Sequence, residues 1–295
     1  DISMSSTYDT LCGITEEEIF QYFDDDIRAM AEKFETSYED VIDKLRRQYD
    51  GYHFSKANNG VYNPFSLLNV FKQKEFSNYW FQTGTPTYLL KLLKRNNYDI
   101  TSLEGIKLSA DEFADYRAEI EKPIPMIYQS GYLTIKDYDP IINEYTLGFP
   151  NEEVRGGFLR FIAPSYIPLI GNTGLSASDF IRDLYANNVE GFMTRFKSFV
   201  ASIDYELFDD KLKERYFQII FYLVFSLAGA EVSPEVHTSD GRMDAVIKTP
   251  SNIYIFEFKM DKSAEEAMEQ IELKHYPDRY LTDSRAIVKI AANFK

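Results

Sequence analysis

Three charged residues set in two apolar stretches carry the strongest chemical signal in this 295-residue sequence: Asp244 and, after twelve intervening residues, Glu257 followed by Lys259. The last two sit in Ile253-Tyr254-Ile255-Phe256-Glu257-Phe258-Lys259, where β-branched and aromatic residues dominate and predict a strand. Alternation places Glu257 and Lys259 on one face with Ile253 and Ile255, and Tyr254, Phe256 and Phe258 on the other. Both faces are then largely apolar, the pattern of a central strand, where an unpartnered charge costs on the order of several kcal/mol. Asp244 belongs to a preceding apolar strand, Met243 to Ile247, and a hairpin through Thr249-Pro250-Ser251-Asn252 brings it beside Glu257. Two outcomes fit such a trio. Lys259 pairs internally with Glu257 or Asp244, or the two carboxylates hold a hard divalent cation with an ammonium beside it.

The spacing Asp-x₁₂-Glu-x-Lys resembles the signature of the PD-(D/E)XK nuclease superfamily, with Asp244 as the first acid and Glu257-Phe258-Lys259 as the (D/E)-x-K. The likeness extends to Gly241-Arg242 before the first acid and to Ala267-Met268-Glu269-Gln270-Ile271 after the strand. Together these resemble the C-terminal nuclease-like domain of a bacterial family whose N-terminal part is AAA-ATPase-like. Phrases resembling that partner domain occur earlier: Tyr49-Asp50-Gly51-Tyr52-His53-Phe54-Ser55, Val61-Tyr62-Asn63-Pro64-Phe65-Ser66, Tyr79-Trp80, Gly131-Tyr132-Leu133 and Pro150-Asn151-Glu152-Glu153-Val154. The resemblance implies a Mg²⁺ or Mn²⁺ cofactor held by Asp244 and Glu257, with Lys259 and Gln270 as further catalytic residues. It also implies an additional acid on the helix before the sheet, for which Glu214 is the candidate, set against the reading of a solvated helix face. A tyrosine follows the glutamine in RecB-like nucleases, and Tyr276 lies later than that spacing asks. Arg242 either meets a substrate phosphate or pairs with Glu235 across the meander.

The elements that must position these residues are legible nearby. A helix from about Lys211 to Leu227 precedes strands at about Glu231–Thr238, Met243–Lys248 and Asn252–Met260. Ser263 caps a helix to about Tyr276, and Ile287–Ile290 makes a last apolar strand. Helix, three-stranded meander, helix, strand is an α/β/α restriction-endonuclease-like layout with a mixed sheet.

The first half reads as mostly helical. Thr15-Glu16-Glu17-Glu18 forms a capping box for a helix from about Glu16 to Met30, and another covers Tyr38 to Gln48. Asn63-Pro64 and Thr85-Pro86 are cap-plus-proline starts, and Ser109 opens a further capped helix. Strands at Tyr132–Lys136 and Asn143–Leu147 make a small hairpin, winged-helix-like in placement but carrying Asp137, Asp139 and Glu144. The Tyr49–Phe54 aromatics read as a packed corner. Turn-forming residues concentrate between Pro164 and Gly174, so the expected division is 1–170, the rear of an AAA-ATPase-like domain, and 171–295, the nuclease-like domain.

Composition sets the limits. A formal charge of −15, most of it before Gly156, excludes a generally basic nucleic-acid-coating surface and confines any DNA or RNA contact to a local groove of the C-terminal domain. The longest apolar run, Tyr216 to Ala230, is interrupted by Gln218, Ser226 and Gly229, so no membrane span is expected. A single cysteine, Cys12, fits a cytoplasmic setting. His53, His237 and His275 lack zinc spacing. No glycine is followed by Lys-Ser or Lys-Thr, the hallmark of a phosphate-cradling loop. In the resembled family that loop falls before Asp1, so the resemblance implies a fragment without an ATP site. Two functions remain: a metal-dependent nuclease, or a silent nuclease-like fold serving as a binding or regulatory module.

Overall fold

The computed structural model describes all residues except 1–3, 58, 81–86, 96–97, 111, 113–122, 167–176, 202–209, 228–230, 239–240, 261–262 and 295. At 94, 164–166, 177–178, 200, 210–218, 231–244, 260 and 294 it describes the backbone alone. The chain is mixed α/β and forms two compact units, Asp1–Phe161 and Ile162–Lys295.

The first unit opens with α1 (Glu16–Tyr22), α2 (Asp24–Phe34), α3 (Tyr38–Tyr49) and α4 (Pro64–Gln73). Thr15 and Glu18 form the expected capping box. The single helix expected to reach Met30 is instead two, because Phe23 leaves helical geometry at φ −126°, ψ 16° and packs face to face on Phe71 at 4.7 Å. Asp24-Asp25-Asp26 then supply the acidic first turn that a new helix N-terminus favours. Ser37 and Asp40 cap α3 reciprocally, and Asn63 with Pro64 starts α4. The apolar faces of these helices meet in a core of Ile19, Ile27, Met30, Leu45, Tyr49 and Val70.

Beyond this lie α5 (Thr87–Arg95), β1 (Ile106–Ser109), α6 (Ile124–Gln129), β2 (Thr134–Asp139), β3 (Glu144–Gly148) and α7 (Glu152–Tyr166). The Thr85-Pro86 cap lies outside the described residues. Ser109 and Glu112 exchange the reciprocal bonds of a capping box, while residues 113–122 lie outside the described residues. β2 and β3 pair antiparallel, and β1 adds to β3, so the expected hairpin is a three-stranded sheet of order β1-β3-β2.

One close fit ties this unit together. Gly51 has φ +96°, and a Cβ there would stand 2.2 Å from the Pro150 carbonyl oxygen. Asn151 Nδ2 donates to the Asp50 carbonyl at 2.9 Å while its Oδ1 caps α7 at the Val154 N–H. Two segments a hundred residues apart are thereby clasped backbone to backbone.

The second unit contains α8 (Ala177–Tyr185), α9 (Val189–Ala201), α10 (Asp210–Leu227), β4 (Glu231–Thr238), β5 (Gly241–Lys248), β6 (Asn252–Met260), α11 (Ala264–Leu273) and β7 (Ala286–Phe294). Its sheet has the order β4-β5-β6-β7, antiparallel except for the parallel pair β6–β7. Such a parallel pair requires a crossover, which α11 and a 3₁₀ turn at Tyr276–Tyr280 provide. Among the described residues no helix is long and apolar enough to cross a membrane.

Candidate active site

β6 is buried on both faces, as its sequence requires. Tyr254, Phe256 and Phe258 turn toward the helices that precede the sheet: Phe192 of α9 lies 5.6 Å from Phe256, and Phe221 of α10 lies 5.0 Å from both Phe256 and Phe258. On the opposite face, Ile253 and Ile255 pack with Val246, Ile271 and Tyr276. The Tyr254 hydroxyl donates to the Leu184 carbonyl at 2.5 Å, fixing the strand against α8. At the hairpin end, the Thr249 N–H donates to the Asn252 carbonyl and the Asn252 N–H donates to the Thr249 hydroxyl. These contacts set the register that the site depends on.

Glu257 is 1% exposed, and the Lys259 ammonium donates to its Oε1 at 2.7 Å. The two share a face because they are two residues apart on a strand. Ala245 pairs with Phe256 across the antiparallel β5–β6 ladder, so one further step of that register places position 244 across from Glu257. The Asp244 side chain lies outside the described residues, as do those of Glu214 on α10 and Arg242 on β5. The ladder sets His237 directly across from Arg242, with Glu235 two residues further along β4 on the same face, and the side chains that would pair lie outside the described residues.

Gln270, on the helix packed over this face, donates through Nε2 to the Tyr276 hydroxyl at 3.1 Å. Tyr276 lies later than the RecB-like spacing asks, and the sequence predicts a helix that continues to about that residue. The helix stops at Leu273, and His275 adopts a left-handed φ of 50° before the 3₁₀ turn, which folds Tyr276 back beneath α11. Pro277 at the start of that turn is the sequence signal for the early stop. Tyr276 is buried with Ile271 in the same apolar layer. The structure thus joins Glu257 with Lys259 and Gln270 with Tyr276.

A buried carboxylate and an ammonium in contact, with a second acid's position across the ladder, fit the donor chemistry of a hard divalent cation. Among the described residues no group of three or more histidine, cysteine, aspartate or glutamate side chains stands ready as a metal cage.

Residues 212–295 match the model of the PD-(D/E)XK nuclease superfamily, whose members generally use divalent metal ions. Over its whole length the chain is 32% identical to an uncharacterized protein encoded in the vnfD 5′ region of Azotobacter chroococcum mcd 1, and it spans 56% of that relative. No solved structure matches the chain. The mixed four-stranded sheet, the buried Glu-x-Lys strand and the family match coincide on one stretch: residues 212–295 are a PD-(D/E)XK nuclease superfamily domain.

Proposed function

We propose that this domain hydrolyses nucleic-acid phosphodiesters with Mg²⁺ or Mn²⁺, attached to the rear of an AAA-ATPase-like module. The observation that carries the reading is the Glu257–Lys259 contact at 2.7 Å on a buried strand, with position 244 across the ladder. Asp244 and Glu257 would hold the ion, which when bound supplies Lewis-acid polarisation of a phosphate oxygen and of water. Lys259 neutralises charge that develops on the reacting phosphate, and does so with little reorganisation because its ammonium is already held beside Glu257. Gln270 is oriented by the Tyr276 hydroxyl. Glu214 is assigned a supporting acid role and Arg242 a substrate-phosphate contact. DNA and RNA are both within this substrate class.

The same ion pair supports a second reading, in which the fold is silent and serves binding or regulation. An internal pair already satisfies the buried charge, and the excess acid opposes phosphate approach. The two readings separate in one experiment. The chain is incubated with labelled single- and double-stranded DNA and RNA in Mn²⁺, Mg²⁺ or EDTA, beside Glu257→Gln. Metal-dependent cleavage lost in the variant supports the nuclease. No cleavage of any of the four substrates, together with no Mn²⁺ binding by calorimetry, supports the silent module.

A further inference from the structure

The first unit holds an aromatic column that runs from its core to its surface. Tyr49, fully buried, stacks on Phe76 at 6.3 Å with an interplanar angle of 5°. Phe76 in turn lies 5.6 Å from Phe34, which ends α2 and is 39% exposed. The column borders an open cavity of about 590 Å³, within the size range of small-molecule sites.

The charges around the cavity are unequally committed. Asp40 accepts bonds from Thr36 and Ser37 and caps α3. Asp43 and Arg46 pair with each other at 2.8 Å, and Arg46 also reaches Glu16 at 2.6 Å. Lys44 and Arg47 also line the cavity and form no ion pair among the described residues. The Lys44 ammonium stands 4.2 Å over Phe76 and 5.9 Å from Phe34. Asp43 is paired and Asp40 is turned to the N-terminus of α3, which leaves Lys44 and Arg47 as the lining cations without an ion-pair partner among the described residues.

We propose that this cavity binds a nucleotide unit, its base extending the Tyr49–Phe76–Phe34 column on the exposed ring of Phe34 and its phosphate held by Lys44 and Arg47. An aromatic platform flanked by lysine and arginine suits a planar anion, since stacking serves any base and the cations serve any phosphate. The unit belongs to a free mononucleotide or to a single strand, and the ligand chemistry is shared. This site is in the first unit and does not depend on the nuclease reading.

The test uses the full chain in EDTA, where metal-dependent cleavage is suppressed, with oligo(dA) and AMP as separate probes. Saturable binding of oligo(dA) alone assigns the strand, and competition by AMP assigns the free nucleotide. In either case Phe34→Ala and the double variant Lys44→Ala/Arg47→Ala should each weaken binding by roughly fivefold or more, while Phe34→Trp retains it. Phe34 is exposed at a helix end, and unchanged thermal unfolding checks that its variants fold. Absence of saturable binding by both probes overturns the proposal, as does binding indifferent to Phe34→Ala.

Discussion

The Lys259 ammonium lies 2.7 Å from Glu257 Oε1, and the carboxylate is 1% exposed while the lysine side chain is 19% exposed. The pair is asymmetric, with the acid sealed in the sheet and the base reaching its rim. Lys259→Ala should therefore destabilise the second unit by about 3–5 kcal/mol, the usual loss when one partner of a buried pair is removed. Any metal-dependent cleavage should disappear with it. Lys259→Arg, which keeps the charge, should restore most of the stability and little of the activity. Thermal unfolding beside a cleavage assay reads both, and an unshifted melting temperature in Lys259→Ala would contradict the structural half.

Gly51→Ala is expected to be among the most damaging single substitutions in the first unit. The added methyl would meet the Pro150 carbonyl oxygen, and alanine disfavours the φ of +96°. A loss of about 2 kcal/mol or more is expected in denaturant titration. Gly105→Ala provides the comparison, because Gly105 also has positive φ, at +83°, but open space where a Cβ would stand, so only the backbone strain remains.

Glu153 is fully buried, with one oxygen accepting from the Trp80 N–H at 2.9 Å and the other lacking a hydrogen bond among the described residues. Burial raises its pKa. A raised carboxyl gives its full stability below its unfolded pKa and loses it as pH rises through the folded value. Glu153→Gln keeps the acceptor and removes the charge, so its advantage over the parent should grow as pH is raised from about 4.5. Glu153→Ala leaves the Trp80 N–H unsatisfied and should cost about 2 kcal/mol instead. Unfolding curves across this range decide the sign.

His53 shows the opposite dependence. Burial, aided by the nearby Lys136 ammonium and opposed by Asp50, holds its pKa below the ordinary histidine value. The unfolded chain then takes up this proton first as pH falls below about 6.5, and stability should decline by at most about 1.4 kcal/mol per pH unit until the folded imidazole also protonates. His53→Gln should flatten that part of the profile.

The sequence discloses most clearly those features whose cause is local. Caps at Thr15, Asn63 and Ser263 are short-range chemistry, and the structure places them as read. Alternation in β6 foretold both of its packed faces, because a strand's parity follows from backbone geometry alone. Strand β1 escaped notice since four residues, one of them exposed Lys107, carry too little pattern to stand out; only the partner β3 makes them a strand. The break at Phe23 depends on its stacking with Phe71, nearly fifty residues away. Tyr276 lies later than the RecB-like spacing asks, and its hydrogen bond with Gln270 depends on α11 ending at Leu273, a stop set by the turn that follows it. The Phe34–Phe76 column was invisible for the same reason, since its rings come from three separate segments.

The parallel β6–β7 pairing, nine residues long from Asn252↔Ala286 to Met260↔Phe294, also dictates an order of events during synthesis. While residues 286–294 are still inside the ribosome, the Glu-x-Lys strand has a neighbour on one side only. Asp244, Glu257 and Lys259 have by then all been made. A nascent chain therefore carries Asp244, Glu257 and Lys259 before it has the strand that completes the sheet around Glu257. Assembly of the centre thus waits for the strand at Ala286–Phe294, made well after the residues it completes.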